Sequence, residues 1–145
     1  MMARLGECMT LIVCVDDKYG MAFHGRRQSM DRQLRERMLS ILCGQTLRMS
    51  AYSAGQFEAL PESVCIDDDF VKNAAITDAC FLETQDPKLL IDMCDRIVLY
   101  RWNRAYPADL YFPISELDGK WTSVSKTDIA GYSHQQITEE IYEIK

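Results

Sequence analysis

Histidine is scarce in this chain, and metal ligands at useful spacing are missing. Among 145 residues only His24 and His134 carry an imidazole, and no C-x-x-C or H-x₃₋₅-H spacing occurs, so a zinc site has nothing to close on and no metal is expected. Long apolar runs are also lacking: MTLIVCV, near the start, has about seven residues against the roughly 20 that cross a bilayer. It is followed by DDKYG rather than a small-residue cleavage site, which argues against a signal peptide and against a membrane partner. Positive charge is in deficit, 16 Lys and Arg against 22 Asp and Glu for a net charge of −6, so nucleic acid is not an expected partner. Neither a G-x-G-x-x-G nor a P-loop is present to cradle a phosphate.

What is present suffices for one core. Hydrophobic residues make up 48% of the chain, and no repeat, low-complexity tract or linker divides it, so residues 1–145 read as a single domain. Residues 1–8 are either a disordered or non-native start or part of the body, since Met9 is an equally natural beginning for the first strand. Six cysteines, Cys8, Cys14, Cys43, Cys65, Cys80 and Cys94, fall at long irregular gaps, several inside apolar strings such as LIVCV and SVCI. They read as buried reduced thiols of a cytoplasmic protein rather than as a disulfide framework.

The apolar, β-branched run 9–16 reads as a central strand covered on both faces, ending in the turn DDKYGM. From Ser29 the period becomes helical, with Met30, Leu34, Met38, Ile41 and Leu42 on one stripe and Arg32, Arg35, Glu36 and Arg37 on the solvated sides. Ser29 is the expected N-cap, Asp31 lies in the first turn, and Gly44 is the stop. Residues 46–52, 63–67, 80–84 and 96–102 read as strands, DPKLLIDMC as a helix with Pro87 at its first position, and FVKNAAITDA as ambiguous. DLYFPI, GKWTSVSKTDIA and HQQITEEIYEI read as strands of a closing antiparallel hairpin. This order predicts an α/β domain with a mixed, mostly parallel sheet, an antiparallel C-terminal hairpin and helices on both faces.

Three stretches carry a family resemblance. RIVLYRWNRAYPADLYFP resembles the strand, loop and D-x-x-F-P segment of dihydrofolate reductase, without a gap from Arg96 to Phe112. WTSVSKTDIAGYSHQQITEEIYEI resembles that family's final hairpin with its Ser-His loop, and MTLIVCVDDKYGM its first strand. About two-thirds of the chain is covered. The resemblance implies that Asp31 stands at, or one residue from, the carboxylate that holds the pterin ring and assists its protonation. It places Tyr100 where the family has a Thr hydroxyl and Asp109 at the loop Asp.

The departures concern the cofactor. Where the family has M-G-R-x-T, this chain has MSAYS, with Ser50 and Ala51 in place of Gly and Arg. Where a Gly-Gly pair lets backbone approach the pyrophosphate, it has Glu83 and Thr84. The family's substrate-covering Trp and Pro are replaced by FHGRRQS, and the stretch between the second and later strands is short enough to lack an adenosine-binding strand and helix. No cofactor is therefore expected, with NADPH implied only if reductase activity is retained.

Candidate site residues follow. Asp31 is either a pocket carboxylate for proton transfer or a first-turn acid stabilised by the helix dipole, and Tyr100 stands beside it as a catalytic candidate. Residues 26–37 hold five arginines against two acids, which is either an anion cradle or a solvated face. Arg26, Arg27, Gln28 and Ser29, with His24, Tyr52 and Ser53, form the candidate ligand set. His134 reads as a loop histidine, because no serine in a nucleophile-elbow context accompanies it and Ser133 points elsewhere. IDDDF at 66–70 marks a turn. Tyr52, Tyr100 and Trp102 either line a pocket or fill the core. Three functions fit these residues: a binder of a small polar or anionic molecule in a repurposed cleft; a pterin reductase; or a homodimeric interaction module.

Overall fold

In the computed structural model, residues 9–42 and 44–145 are described; the expectations for residues 1–8, and for Cys8 and Cys43, lie outside them. Thr10–Val15 (β1) is buried at every position, as the apolar run requires of a strand covered on both faces. It forms the middle of a seven-stranded sheet. The sequence alternates across it: Leu11, Val13 and Val15 face one core with Leu82, Ile97, Leu99, Phe70 and Leu90, while Ile12 and Cys14 face the other with Leu34, Met38, Phe81, Val98 and Tyr100. Each fully buried Leu, Ile or Phe contributes about 1.5–3 kcal/mol, so these two faces dominate the folding energy.

After β1 come a hairpin of Gly20–Phe23 (β2) and Arg26–Arg27 (β3), helix Arg32–Ser40 (α1), strand Leu47–Met49 (β4), helix Ala51–Ala54 (α2), strand Val64–Ile66 (β5) and helix Phe70–Asn73 (α3). Ala79–Leu82 (β6), Lys88–Ile91 (α4), Arg96–Arg101 (β7), Leu110–Tyr111 (β8), a 3₁₀ turn at Ile114–Leu117, Trp121–Ala130 (β9) and Gln136–Ile144 (β10) complete the chain. The strand order is β5-β4-β6-β1-β7-β10-β9, parallel from β5 to β7 and antiparallel for β10 and β9. Side chains of α1 and α2 enter one core and those of α3 and α4 the other, so helices cover both faces. Among the described residues only α3 lies between β5 and β6, and no helix is long and apolar enough to cross a membrane.

Local details depart from the expected boundaries for identifiable reasons. The strand expected over 46–52 ends at Met49, because Ser50 Oγ accepts from the Ser53 amide at 3.2 Å and caps α2, which takes Tyr52 and Ser53 out of the sheet. The loop FHGRRQS is a hairpin: His24 and Gly25, at φ 52° and 73°, make the left-handed pair that a two-residue turn between right-twisted strands needs. DLYFPI does not join the closing hairpin; its strand β8 pairs with β2 in a separate sheet ordered β3-β2-β8. Asp31, not Ser29, caps α1, accepting from the amides of Gln33 at 2.8 Å and Leu34 at 3.3 Å. Met30 is therefore outside the helix and exposed rather than on its apolar stripe.

Arg37 also leaves the solvated face assigned to it. Its Nε and Nη2 donate to the two carboxylate oxygens of Glu139 on β10, each at 2.8 Å, and Glu139 Oε2 accepts from the buried Tyr100 hydroxyl at 2.9 Å. This network ties α1 to the centre of the sheet. Glu139→Ala strips both donors of their acceptor, and we expect a loss of about 3 kcal/mol, measured as a lower urea midpoint at unchanged slope. Tyr100→Phe removes one neutral donor and is expected to cost about 1 kcal/mol in the same assay.

Candidate functional site

The carboxyl ends of parallel strands are where an open α/β sheet presents its loops, and here the ends of β4, β6, β1 and β7 carry Ser50, Glu83, Asp16 and Trp102. Asp16 organises the first loop. Buried after β1, it accepts from the amides of Lys18 at 2.8 Å, Gly20 at 2.7 Å and Tyr106 at 3.1 Å, and from Gln28 Nε2 at 3.2 Å. Burial alone would raise its pKa, but these donors outweigh burial and hold the carboxyl below its ordinary range. Gln28 also donates to the Pro107 carbonyl at 3.3 Å, so its amide nitrogen braces two loops.

Glu83 follows β6 and is also buried. Arg27, at the end of β3, sends Nε to both of its oxygens, at 3.2 and 3.1 Å. Glu83 Oε1 also accepts from Ser53 Oγ at 2.8 Å and from Gln56 Nε2 at 3.0 Å. Tyr52 completes the cluster: its hydroxyl accepts from the Arg27 amide at 3.0 Å, its carbonyl from Arg27 Nη2 at 2.9 Å, and its ring lies 4.1 Å beneath the guanidinium. Three of the expected ligand residues, Arg27, Tyr52 and Ser53, are thus brought together around Glu83. Beneath them the Cys14 thiol is pushed up by burial and by the Glu83 charge, so it stays protonated.

The third cluster joins the two ends of the chain. Asp31 is 2% exposed and, besides capping α1, accepts from the amides of Tyr132 at 3.0 Å, Ser133 at 2.9 Å and His134 at 3.1 Å, and from the Ser133 hydroxyl at 3.2 Å. His134 Nδ1 lies 3.0 Å from Asp31 Oδ2, and its Nε2 lies 2.9 Å from Ser29 Oγ and 3.3 Å from the Tyr106 hydroxyl. The ring stacks on Trp102 at 4.7 Å. Burial pushes the Asp31 carboxyl upward, but the Tyr132 amide, His134 and the Ser133 and Leu34 amides overcome it and hold the group far below the carboxylate range. His134 lies in the β9–β10 loop, as expected, but its ring is buried and engaged at both nitrogens, and Ser133 points at the same cluster. Only a carboxylate 103 residues away in sequence reveals it, so no local motif could.

The remaining expected residues are dispersed. His24 is exposed, stacks on Phe23 at 3.9 Å and donates its amide to Asp109 Oδ2 at 3.1 Å. Arg26 is exposed. Tyr100 is buried against Glu139, and burial followed by the Glu139 charge raises its phenol well above the ordinary value. Ala51 opens α2, with its amide donating to Asp68 Oδ1 at 2.9 Å, and Thr84 donates its amide to Gln85 Oε1 at 3.3 Å. Among the described residues no group of three His, Cys, Asp or Glu side chains could hold a metal ion.

Across 97% of this chain and 98% of its own, a solved dihydrofolate reductase from Enterococcus faecalis superposes with a TM-score of 0.66. The fold is that of dihydrofolate reductase. That structure is described as a complex with NADP(H) and RAB-propyl, and its sequence is 13% identical to this one, a level at which the likeness to the reductase establishes architecture alone. No protein-family model and no curated protein matches the sequence.

Asp31 gives the reductase fold a pH signature here. A carboxyl held below its unfolded value of about 3.9 contributes stability that is complete above that pH and is lost as pH falls through the lower folded value. Asp31→Asn, which removes the charge, is expected to cost about 3 kcal/mol at pH 7. The gap between the two proteins in urea midpoint should hold from pH 7 to about 5 and close below about 4.

Proposed function

We propose that this chain uses the reductase fold as a binding protein, taking a small polar ligand, anionic in its simplest form, over the carboxyl ends of β4, β6 and β1. On this reading it does not hold a nicotinamide dinucleotide in the reductase manner. Glu83 carries the proposal. A buried carboxylate stands where the resemblance calls for paired glycines, and Arg27, Ser53 and Gln56 hold it in place. At about 4 Å a phosphate charge meets a repulsion of about 4 kcal/mol from such a group at the effective dielectric of a protein surface, which Arg27 offsets only in part. Ala51 supplies no side-chain donor for a phosphate in place of the family's Arg.

A smaller anion faces a different surface. Arg26 is exposed next to Arg27 in the chain, and a carboxylate or phosphate reaching the Arg27 and Tyr52 stack can share the fork that Arg27 presents to Glu83. Cys14, Cys65 and Cys80 are free thiols, and Cys14 and Cys80 are buried, which supports the cytoplasmic placement that belongs to this reading.

A thermal-shift titration tests it, with NADPH, dihydrofolate, inorganic phosphate and simple dicarboxylates each carried to about 1 mM. The expected result is no rise with NADPH and a rise with a small anion, worth about 2.7 kcal/mol at a hundredfold excess over Kd. Arg27→Lys preserves a counter-charge for Glu83 but loses the planar fork, and is expected to weaken the anion response about tenfold. A clear rise with NADPH in the unmodified protein restores the reductase reading and sinks this one.

A further inference from the structure

Ser29, His134 and Asp31 stand in line. Ser29 Oγ is 2.9 Å from His134 Nε2, and His134 Nδ1 is 3.0 Å from Asp31 Oδ2. The direction of the line follows from chemistry. An ionised carboxylate only accepts, so Nδ1 carries the proton, and in the neutral ring Nε2 offers its lone pair to the Ser29 hydroxyl. This is the arrangement of nucleophile, general base and orienting acid that acyl-transfer enzymes use on unrelated folds, where it is recognised by geometry and not by order in the chain.

The surroundings fit the roles. Asp31 and His134 are 2% and 5% exposed, so their charge coupling is shielded from water, while Ser29 remains partly open. Three backbone amides of the β9–β10 loop hold Asp31, and Trp102 fixes the imidazole plane by stacking. Trp102 also lines an open depression with Asn103, Arg104, Gln135 and Gln136. The Tyr106 hydroxyl, 3.3 Å from the same Nε2, competes for its lone pair at a longer distance than Ser29. None of these residues belongs to the Arg27–Glu83 cluster, so the inference stands independently of the ligand-binding proposal.

We propose that Ser29 is an activated nucleophile that cleaves small carboxylic esters through an acyl-serine. Ser29 Oγ bonds to the ester carbonyl carbon as its proton passes to His134 Nε2. The carbon–oxygen bond to the alcohol then breaks, and the leaving alkoxide takes that proton. Water, deprotonated by the same nitrogen, attacks the acyl-serine and releases the carboxylic acid, and Oγ recovers its proton. Asp31 acts as a positioning residue that holds the ring and offsets the imidazolium charge.

The test is a fluorophosphonate, which a neutral, unactivated serine ignores: the Ser29 Oγ–phosphorus bond forms, fluoride leaves, and the hydroxyl proton goes to His134. We expect one adduct by intact mass, mapped to Ser29, at near-stoichiometric probe. Turnover of p-nitrophenyl acetate should exceed one equivalent per chain and fall to the buffer rate in Ser29→Ala. His134→Gln should slow labelling at least about 100-fold, as loss of a general base does, with the circular dichroism spectrum unchanged. Should His134→Gln fail to fold, the exclusive labelling of Ser29 over the other serines decides the matter. Absence of an adduct on Ser29 in the folded protein, or equal labelling in a folded His134→Gln, overturns the proposal and leaves the cluster as a latch.

Discussion

The Asp31 carboxylate is the fixed point on which this site depends. It closes the amino end of α1 and, through three consecutive amides, the loop between β9 and β10, so one buried charge joins residues more than 100 positions apart. Its charge lies on the favourable end of the helix dipole and is spread over several donors, which makes burying it affordable. Everything near it inherits its position. His134 is oriented by it, Ser29 is oriented by His134, and Gly131 must lack a Cβ because one would lie 2.2 Å from the His134 carbonyl oxygen.

The arginine-rich stretch takes its meaning from the same accounting of buried acids. An acidic chain with a local excess of arginine invites the idea of an external anion, yet two of these arginines answer buried acids of the protein itself and Arg32 an exposed one, Glu58, at 3.4 Å. Arg27 pairs with Glu83 and Arg37 with Glu139, each acid at most 6% exposed. Arg32 lies over the Tyr132 ring at 4.5 Å, covering the loop that Asp31 holds. Elsewhere Arg48 serves Asp78 in the same way. Removing Arg27, Arg37 or Arg48 would strand a carboxylate in a low-dielectric interior, a penalty larger than the net worth of the pair. Arg26 is exposed and pairs with none of these acids.

How much of this the sequence displayed depended on the range of the interaction. β1, β6 and β7 could be seen because burial on both faces leaves a continuous apolar run, and α1 because Leu34 and Met38 repeat at helical spacing. The turn at His24–Gly25 and the cap at Ser50 are local chemistry that a strand or loop reading overlooked. The partner of β8 could not be seen, since two residues carry no register and β2 lies about ninety positions earlier. The candidate site was half legible: Arg27, Ser29, Asp31, Tyr52 and Ser53 stood out by type, but Glu83 was noticed as an obstacle, not as their partner, and His134 was dismissed. Each missing assignment was a contact across 27 to 105 residues, for which a single sequence offers no period or spacing.

The two polar clusters differ in how they can respond to a molecule arriving at the sheet's carboxyl end. Around Glu83 the donors are side chains, Arg27, Ser53 and Gln56, which can change rotamer without breaking backbone structure. Around Asp31 the donors are mostly amides of a helix start and a hairpin loop, and releasing them would undo both elements. Rigid support of that kind is what holding a nucleophile and base within hydrogen-bond reach requires, whereas adaptable support suits ligand capture. The same strand ends therefore offer one pliable and one stiff polar centre, and the proposals assign binding to the first and bond-making to the second.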